Sequence, residues 1–312
     1  MPEQGQVVSV NISTRTGTIK EPVGRARIDE RGLEGDAHAG DWHRQVSLLA
    51  SESVERFAGQ IGRRLAWGEF AENITTRGLE LTRWHLLDEL EVGGARLQVT
   101  QIGKKCHGDD CAIFREVGRC VMPREGIFCR VLRPGEVGEG DAIRYLPRQW
   151  KFLVITASDR CARGQASDRS GPAAERWLRD FCAGQQLACR VERALVPDEA
   201  EQLRGHLERA RAAGLDAVFI TGGTGIGPRD VTPEVVQRFC GKLLPGIVEA
   251  VRVQAGASNP NAWLSRSLAG VRDTMLVFAM PGSTRAVGEY LEAIGKVLLH
   301  AVWMVHGLDP HR

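Results

Sequence analysis

Thr221 to Glu234 reads TGGTGIGPRDVTPE, directly after the apolar run Ala217, Val218, Phe219 and Ile220. A short apolar run bounded by glycines reads as a buried strand. Thr232 as N-cap and Pro233 as first helical residue then predict a helix start. The segment is therefore a strand, a glycine loop and a helix. Gly222, Gly223, Gly225 and Gly227 are expected to take positive φ and to let backbone N–H groups approach a ligand. Beside a helix N-terminus such a loop binds anions, most often phosphate. It lacks the Gly-Lys-Ser/Thr ending of a P-loop, and Pro228 stands where the third glycine of the dinucleotide fingerprint would be. Asp230 is the unusual member. A carboxylate in a phosphate loop repels its ligand unless a cation or a proton lies between them, which points to Mg²⁺-assisted chemistry on a phosphorylated substrate. The alternative is that Asp230 only turns the chain ahead of Thr232.

Outward from this loop the pattern alternates. Phe152 to Thr156 reads as a buried parallel strand. A loop from Ser158 to Gly171 leads to a helix begun by Pro172, buried through Trp177, Leu178, Phe181 and Cys182 and stopped at Gly184. Val191 to Val196 is the next strand, and a helix after Pro197 and Asp198 buries Leu203 and Leu207 before Gly214. Thr274 to Met280 is a further strand. Pro281 to Thr284 opens a last helix carrying Ala286, Tyr290, Ile294, Val297 and Leu298. This alternation predicts an α/β domain of three layers, α/β/α, with a mainly parallel sheet. Ligands of such sheets bind beyond the carboxyl ends of the strands. Asp198, Asp230 and Ser283 all follow strands and are expected at one edge. Leu264 to Arg266 joins them from a loop or short helix, with Arg266 read as a phosphate contact and a plain surface residue as the alternative.

The first half reads differently, as short strands and glycine turns that suggest a β-barrel-like domain. Val7 to Ile12, Ala95 to Thr100 and Ile127 to Leu132 are its clearest strands, and Ser51 is expected to cap one helix to about Gln60. Two stretches there carry chemical groups. GDAHAGDWHRQVSLL, Gly35 to Leu49, sets Asp36, His38, Asp41, His43 and Arg44 ahead of a strand. GKKCHGDDC, Gly103 to Cys111, places Cys106 among Lys104, Lys105 and His107, cations that favour a thiolate, while Asp109 and Asp110 oppose it. An ordinary loop thiol, or a zinc site drawn from His38, His43, Cys106, His107, Cys111 or Cys120, are the competing readings; paired C-x-x-C spacing is missing.

At 312 residues the chain suggests about two domains. The expected division is 1–147 and 148–312, joined by the short stretch Pro147, Arg148 and Gln149. The net charge of +2 calls for neither nucleic acid nor an anionic membrane as partner. MPEQGQVVSV does not read as a secretory signal, and no stretch approaches the ~20 apolar residues of a membrane span, so a cytoplasmic protein is expected. The eight cysteines are then expected to be reduced.

Thr221 to Glu234 resembles the signature of the molybdopterin adenylyltransferase family, the MogA/MoaB-like proteins. Ser158 to Pro172 (SDRCARGQASDRSGP), Val196 to Glu199 (VPDE) and Leu264 to Ser283 (LSRSLAGVRDTMLVFAMPGS) match the same family in order. The first half resembles a MOSC domain, through the G-D-x-H-x-G segment, the cysteine after QIGKK and the closing EGIFCRVLRPGEVGEGD. The first resemblance implies Mg²⁺-dependent adenylyl transfer from ATP to molybdopterin, with Asp198 and Asp230 as catalytic and metal-binding residues. It implies substrate contacts from Ser158, Asp168, Thr221, Gly222, Gly223, Thr224, Gly225, Ser265, Arg266, Gly282 and Ser283, and a homotrimer. The MOSC resemblance implies that Cys106 binds cofactor or carries sulfur. A molybdenum insertase or molybdoenzyme is the implied recipient. A cofactor carrier without phosphoryl chemistry is the alternative, and a pyridine-nucleotide hydrolase related to the CinA proteins a more distant one.

Overall fold

The structure is a computed structural model that describes residues 4–104 and 120–308. The chain divides into two compact units, Met1–Arg148 and Gln149–Arg312.

In the first unit the strands Ala142–Leu146, Glu89–Val92, Ala95–Ile102, Ile127–Arg133, Val46–Ala50, Ile74–Arg77 and Gln4–Ile12 are neighbours in that order. Pairing of Gln4 with Arg144 and Gln6 with Ala142 joins the last to the first and closes a barrel of seven strands. Closure leaves no open edge in this ring, so every strand satisfies its backbone groups on both sides. Val46, Leu48, Ile74, Leu90, Leu97 and Ile127 are fully buried. The longest helix among the described residues of this unit, Ser51–Ile61, ends at Gly62 in the left-handed region. Ser51 does not cap it, contrary to expectation: the helix has no side-chain cap, and the Ser51 hydroxyl meets Glu52 and Arg77 instead.

The second unit is built on a six-stranded sheet in the order Ala188–Val196, Gln149–Ala157, Ala217–Thr221, Met275–Met280, Leu268–Arg272 and Lys242–Leu243. The first four strands are parallel, and the last two run antiparallel to their inner neighbours. Side chains alternate across the sheet as the strand period requires. Leu153, Ile155, Val218, Ile220 and Val277 pack with Leu203 and Leu207 of the helix Ala200–Ala212 and Val236 of the helix Thr232–Phe239. The intervening Phe152, Phe219 and Phe278 form an aromatic row on the opposite face, with centroids 6.0 and 5.2 Å apart. The helices Ser170–Gly184, Thr284–Gly295 and Leu298–Val305 contact the sheet as well.

Several boundaries differ from the sequence reading. The helix expected from Pro172 starts at Ser170, and the expected last helix breaks into two at Lys296 and Val297. A helix at Pro245–Ser258 and the antiparallel strand at Leu268–Arg272 were not anticipated. The mainly parallel α/β reading of this half and the barrel-like reading of the other agree with the structure.

Candidate functional site

The strand Gln149–Ala157 lies between Ala188–Val196 and Ala217–Thr221. The chain leaves it toward one side and later returns on the other, which opens a crevice at the carboxyl ends where ligands of such sheets bind. A cavity of about 790 Å³ occupies that position. Its lining includes Ser158, Asp168, Asp198, Thr221, Gly222, Gly223, Thr224, Gly225, Asp230, Ser265, Gly282 and Ser283, residues scattered over more than a hundred positions of sequence.

Gly222 and Gly223 have φ of 98° and 61°, in the region that glycine tolerates. A Cβ on Gly222 would lie 2.2 Å from the Ala157 carbonyl oxygen, and one on Gly223 would lie 2.4 Å from Thr232 Oγ1 and 2.9 Å from Asp198 Oδ1. Gly225 and Gly227, expected to share the positive φ, do not. They are small for another reason, because Asp230 Oδ2 would be 2.7 and 2.9 Å from their Cβ atoms. The loop's own hydrogen bonds join Gly222 N to Met280 O and Gly227 N to Asp230 Oδ2 at 2.8 Å. The N–H groups of Gly223, Thr224 and Gly225 have no partner among the described residues.

Thr232 is not the N-cap expected of it. The helix Thr232–Phe239 has Val231 at that position and no side-chain cap, and Thr232 Oγ1 is buried without a partner. Arg266 holds the loop itself. Its guanidinium donates to Gly225 O at 2.7 Å and Asp230 O at 2.8 Å and pairs with Glu234, so it braces the glycine loop and stands outside the cavity lining. Asp168 lines the cavity and also caps the helix Ser170–Gly184, accepting from Gly171 N at 2.9 Å and Thr156 Oγ1 at 3.0 Å. Ser158 and Ser283 are N-caps too, accepting from Cys161 N and Ala286 N at 3.3 Å each. Thr221 Oγ1 meets Ser170 Oγ at 2.8 Å, and Gly282 comes against Gly222, where an added Cβ would be 3.3 Å from its Cα.

Asp198 is the group with unspent capacity. Its Oδ2 accepts from Asp159 N at 2.9 Å, while Oδ1 is buried with no partner. Burial raises its pKa, with repulsion from Asp159 and Asp230 adding, against the Asp159 N–H bond and the charge of Arg229. Arg229, which the sequence reading did not place in the site, is bidentate to Asp159 at 2.9 Å through both bonds. A buried carboxylate oxygen without a donor, facing other carboxylates, calls for a cation or a proton. No group of three or more acidic, His or Cys ligands occurs among the described residues.

The first unit has its own cavity of about 620 Å³, lined by Thr18, His38, Trp42, Arg44, Lys104 and Cys120 among others. Behind it Lys20, 1 % exposed, donates to both oxygens of Asp36 at 2.6 Å. Asp36 also accepts from Ser13 N and His38 N, tying two of the lining loops together. Burial pushes its carboxyl up, yet the hydrogen bonds from His38 and Lys20 and the charge of Lys20 hold it well below the usual carboxylate range. The Arg44 guanidinium sits 4.7 Å from the Trp42 ring centroid. Cys106, His107 and Cys111 lie outside the described residues.

Residues 153–301 match a family described as a probable molybdopterin binding domain, and residues 35–144 match the MOSC domain. A molybdenum cofactor biosynthesis bifunctional protein of Synechococcus elongatus is 39 % identical over 156 residues, 50 % of this chain and 47 % of that protein. Gephyrin of Dictyostelium discoideum is 32 % identical over 163 residues, 51 % of this chain and 23 % of its own. The chain thus spans about half the length of the first relative and about a quarter of the second. A molybdopterin adenylyltransferase of Helicobacter pylori is 34 % identical over 155 residues, 49 % of this chain and 86 % of that protein.

Proposed function

This chain belongs to the MogA/MoaB-like family of molybdenum-cofactor biosynthesis proteins, and on that premise we propose that its second unit transfers AMP from ATP to molybdopterin with Mg²⁺. The observation that carries the reading is Asp198 Oδ1, buried without a partner beside a glycine loop whose N–H groups are open to an anion. The attacking group is the terminal phosphate oxygen of the pterin, already an anion, so no strong general base is required. A bond forms from that oxygen to the α-phosphorus, the bond from the α-phosphorus to the bridging oxygen breaks, and pyrophosphate leaves. The chain must align two phosphates and offset their repulsion. Gly223, Thr224 and Gly225 would hold phosphate through their N–H groups, with the N-terminus of the helix Thr232–Phe239 adding its dipole. Asp198 and Asp230 would orient Mg²⁺, which when bound supplies charge neutralisation to the phosphates. Arg266 and Asp168 keep the loop and the helix start in place. Ser158 and Ser283 would meet the outer parts of the substrates.

For the first unit we propose binding of the cofactor or carriage of sulfur through Cys106, supported by the cavity beneath His38 and Arg44. The family resemblance supports a homotrimer formed through the second unit. A molybdenum insertase or molybdoenzyme would take the product. A carrier role without phosphoryl chemistry is favoured by one observation, that Asp230 already spends Oδ2 on Gly227 N. The test is pyrophosphate release by the purified protein with ATP, Mg²⁺ and molybdopterin. Release at a steady rate supports transfer, and tight pterin binding without release supports the carrier.

A further inference from the structure

Among the described residues that line the main cavity of the second unit, three are carboxylates, Asp168, Asp198 and Asp230, and a single one is a cation, Arg169. The sequence reading did not single out Arg169, and the chemistry derived above leaves it unused. A crevice that receives several phosphates needs positive charge. A guanidinium supplies it in a planar fork of donors that fits two phosphate oxygens at once.

The residues on either side of Arg169 are fixed. Asp168 accepts from Thr156 Oγ1 at 3.0 Å and from Gly171 N at 2.9 Å, which ties it to the strand Gln149–Ala157 and to the start of the next helix. Ser170, 5 % exposed, meets Thr221 Oγ1 at 2.8 Å, and Thr221 directly precedes the glycine loop. The Arg169 carbonyl accepts from Ala173 N at 3.3 Å, in the first turn of the 15-residue helix Ser170–Gly184. The backbone of Arg169 is therefore held beside the loop, while its side chain is exposed and has no hydrogen-bond or ion-pair partner among the described residues. Other arginines close by are committed: Arg229 to Asp159, Arg193 to Glu175 at 2.7 Å, and Arg266 to the loop itself. A guanidinium left free on a fixed backbone loses only side-chain freedom when a ligand arrives. The N-terminal end of the helix dipole adds to its attraction for an anion.

We propose that Arg169 holds the terminal pyrophosphate of a nucleoside triphosphate and is the residue by which this cavity favours a triphosphate over a monophosphate. The proposal rests on the reading of the glycine loop as the phosphate site. The open N–H groups of Gly223, Thr224 and Gly225 suit one phosphate, and a triphosphate brings two more that need partners. Most of its charge sits on those two. The lone cation of a lining rich in carboxylates therefore stabilises that end most. As the bond from the α-phosphorus breaks, further charge passes to the leaving pyrophosphate, where the guanidinium would already be in place.

The test is calorimetry on the full chain with Mg²⁺ and no pterin, using α,β-methylene-ATP, inorganic pyrophosphate and AMP in turn, so that no turnover occurs. Wild type should bind all three. Arg169→Gln should weaken the first two about tenfold or more, the loss expected for a charge-assisted contact, and leave AMP unchanged. Arg169→Lys should recover part of the affinity, since it keeps the charge and loses the fork. Both variants should melt at the wild-type temperature, because the side chain makes no contact that the fold uses. Unchanged triphosphate binding in Arg169→Gln, or an equal loss for AMP, overturns the assignment. A wild-type protein that binds none of the three refutes the phosphate reading of the loop together with it. A protein that shows the expected pattern yet releases no pyrophosphate from ATP and molybdopterin keeps the role of Arg169 and refutes only the adenylyl transfer.

Discussion

Replacing Asp198 with Asn separates what this residue does for the fold from what it does for the chemistry. Asn keeps the side-chain volume and one oxygen to accept the Asp159 N–H at 2.9 Å, and it removes the charge that faces Asp159 and Asp230. In the free protein that charge is unfavourable. Burial and the neighbouring carboxylates raise the Asp198 pKa above its ordinary 3.8, so the folded chain holds the proton more tightly than the unfolded one. Such a group contributes stability that is full below pH 3.8 and lost as pH rises through the folded pKa. At neutral pH the Asn variant should therefore melt at the wild-type temperature or above it, and near pH 3 the difference should vanish. Adenylyl transfer should move the other way, falling ~10²-fold or more, which is about 2.7 kcal/mol of transition-state stabilisation. Mg²⁺ with ATP should raise the melting temperature of wild type and have less effect on the variant. The assay is pyrophosphate release beside thermal unfolding measured from pH 3 to 8. A variant that turns over at the wild-type rate, or one that is destabilised at neutral pH, would refute the assignment.

The other expectations follow from contacts described above. Gly223→Ala sets a Cβ 2.4 Å from Thr232 Oγ1 at a φ of 61°, so it should abolish transfer and cost roughly 1–2 kcal/mol or more of stability, read by urea unfolding. Asp168→Ala removes the cap of the helix Ser170–Gly184 and should cost about 1 kcal/mol, with a smaller loss of rate than at Asp198 if its role is to hold that helix. Lys20→Met leaves the buried Asp36 unpaired and should destabilise the first unit by about 3–5 kcal/mol; a neutral effect in thermal unfolding would show that Asp36 is satisfied by its backbone donors alone. Residues 148–312 expressed alone should fold and release pyrophosphate, and Cys106→Ser in the full chain should leave that release untouched. A folded but inactive fragment would mean that the first half takes part in the reaction.

The architecture of each half was legible in short-range pattern. Apolar runs such as Phe152 to Thr156 and Ala217 to Ile220, each followed by a glycine or serine loop and a helical stripe, specify parallel strands because both faces of such a sheet are buried. The same logic explains why Asp198, Asp230 and Ser283 could be grouped from sequence, since residues just past parallel strands share one edge. Local pattern said less about roles. Asp168, Ser158 and Ser283 look alike as polar loop residues, and only the folded chain shows that all three cap helices while lining the cavity. Arg266 reads as a cation near a phosphate loop, but its reach to Gly225 O and Asp230 O depends on how the hairpin Leu268–Met280 folds back, a long-range event. Gly225 and Gly227 carry the same letter as Gly222 and Gly223, yet one pair serves backbone torsion and the other makes room for a carboxylate. Sequence by itself determined most of the elements and where the glycine loop lies, because helix and strand periods and glycine torsions are properties of neighbouring residues. The unpaired oxygen of Asp198, the closure of the barrel through Gln4 and Arg144, and the place of Arg169 in the cavity lining were decided only by tertiary structure, because each depends on which distant groups pack together and which are left without a partner.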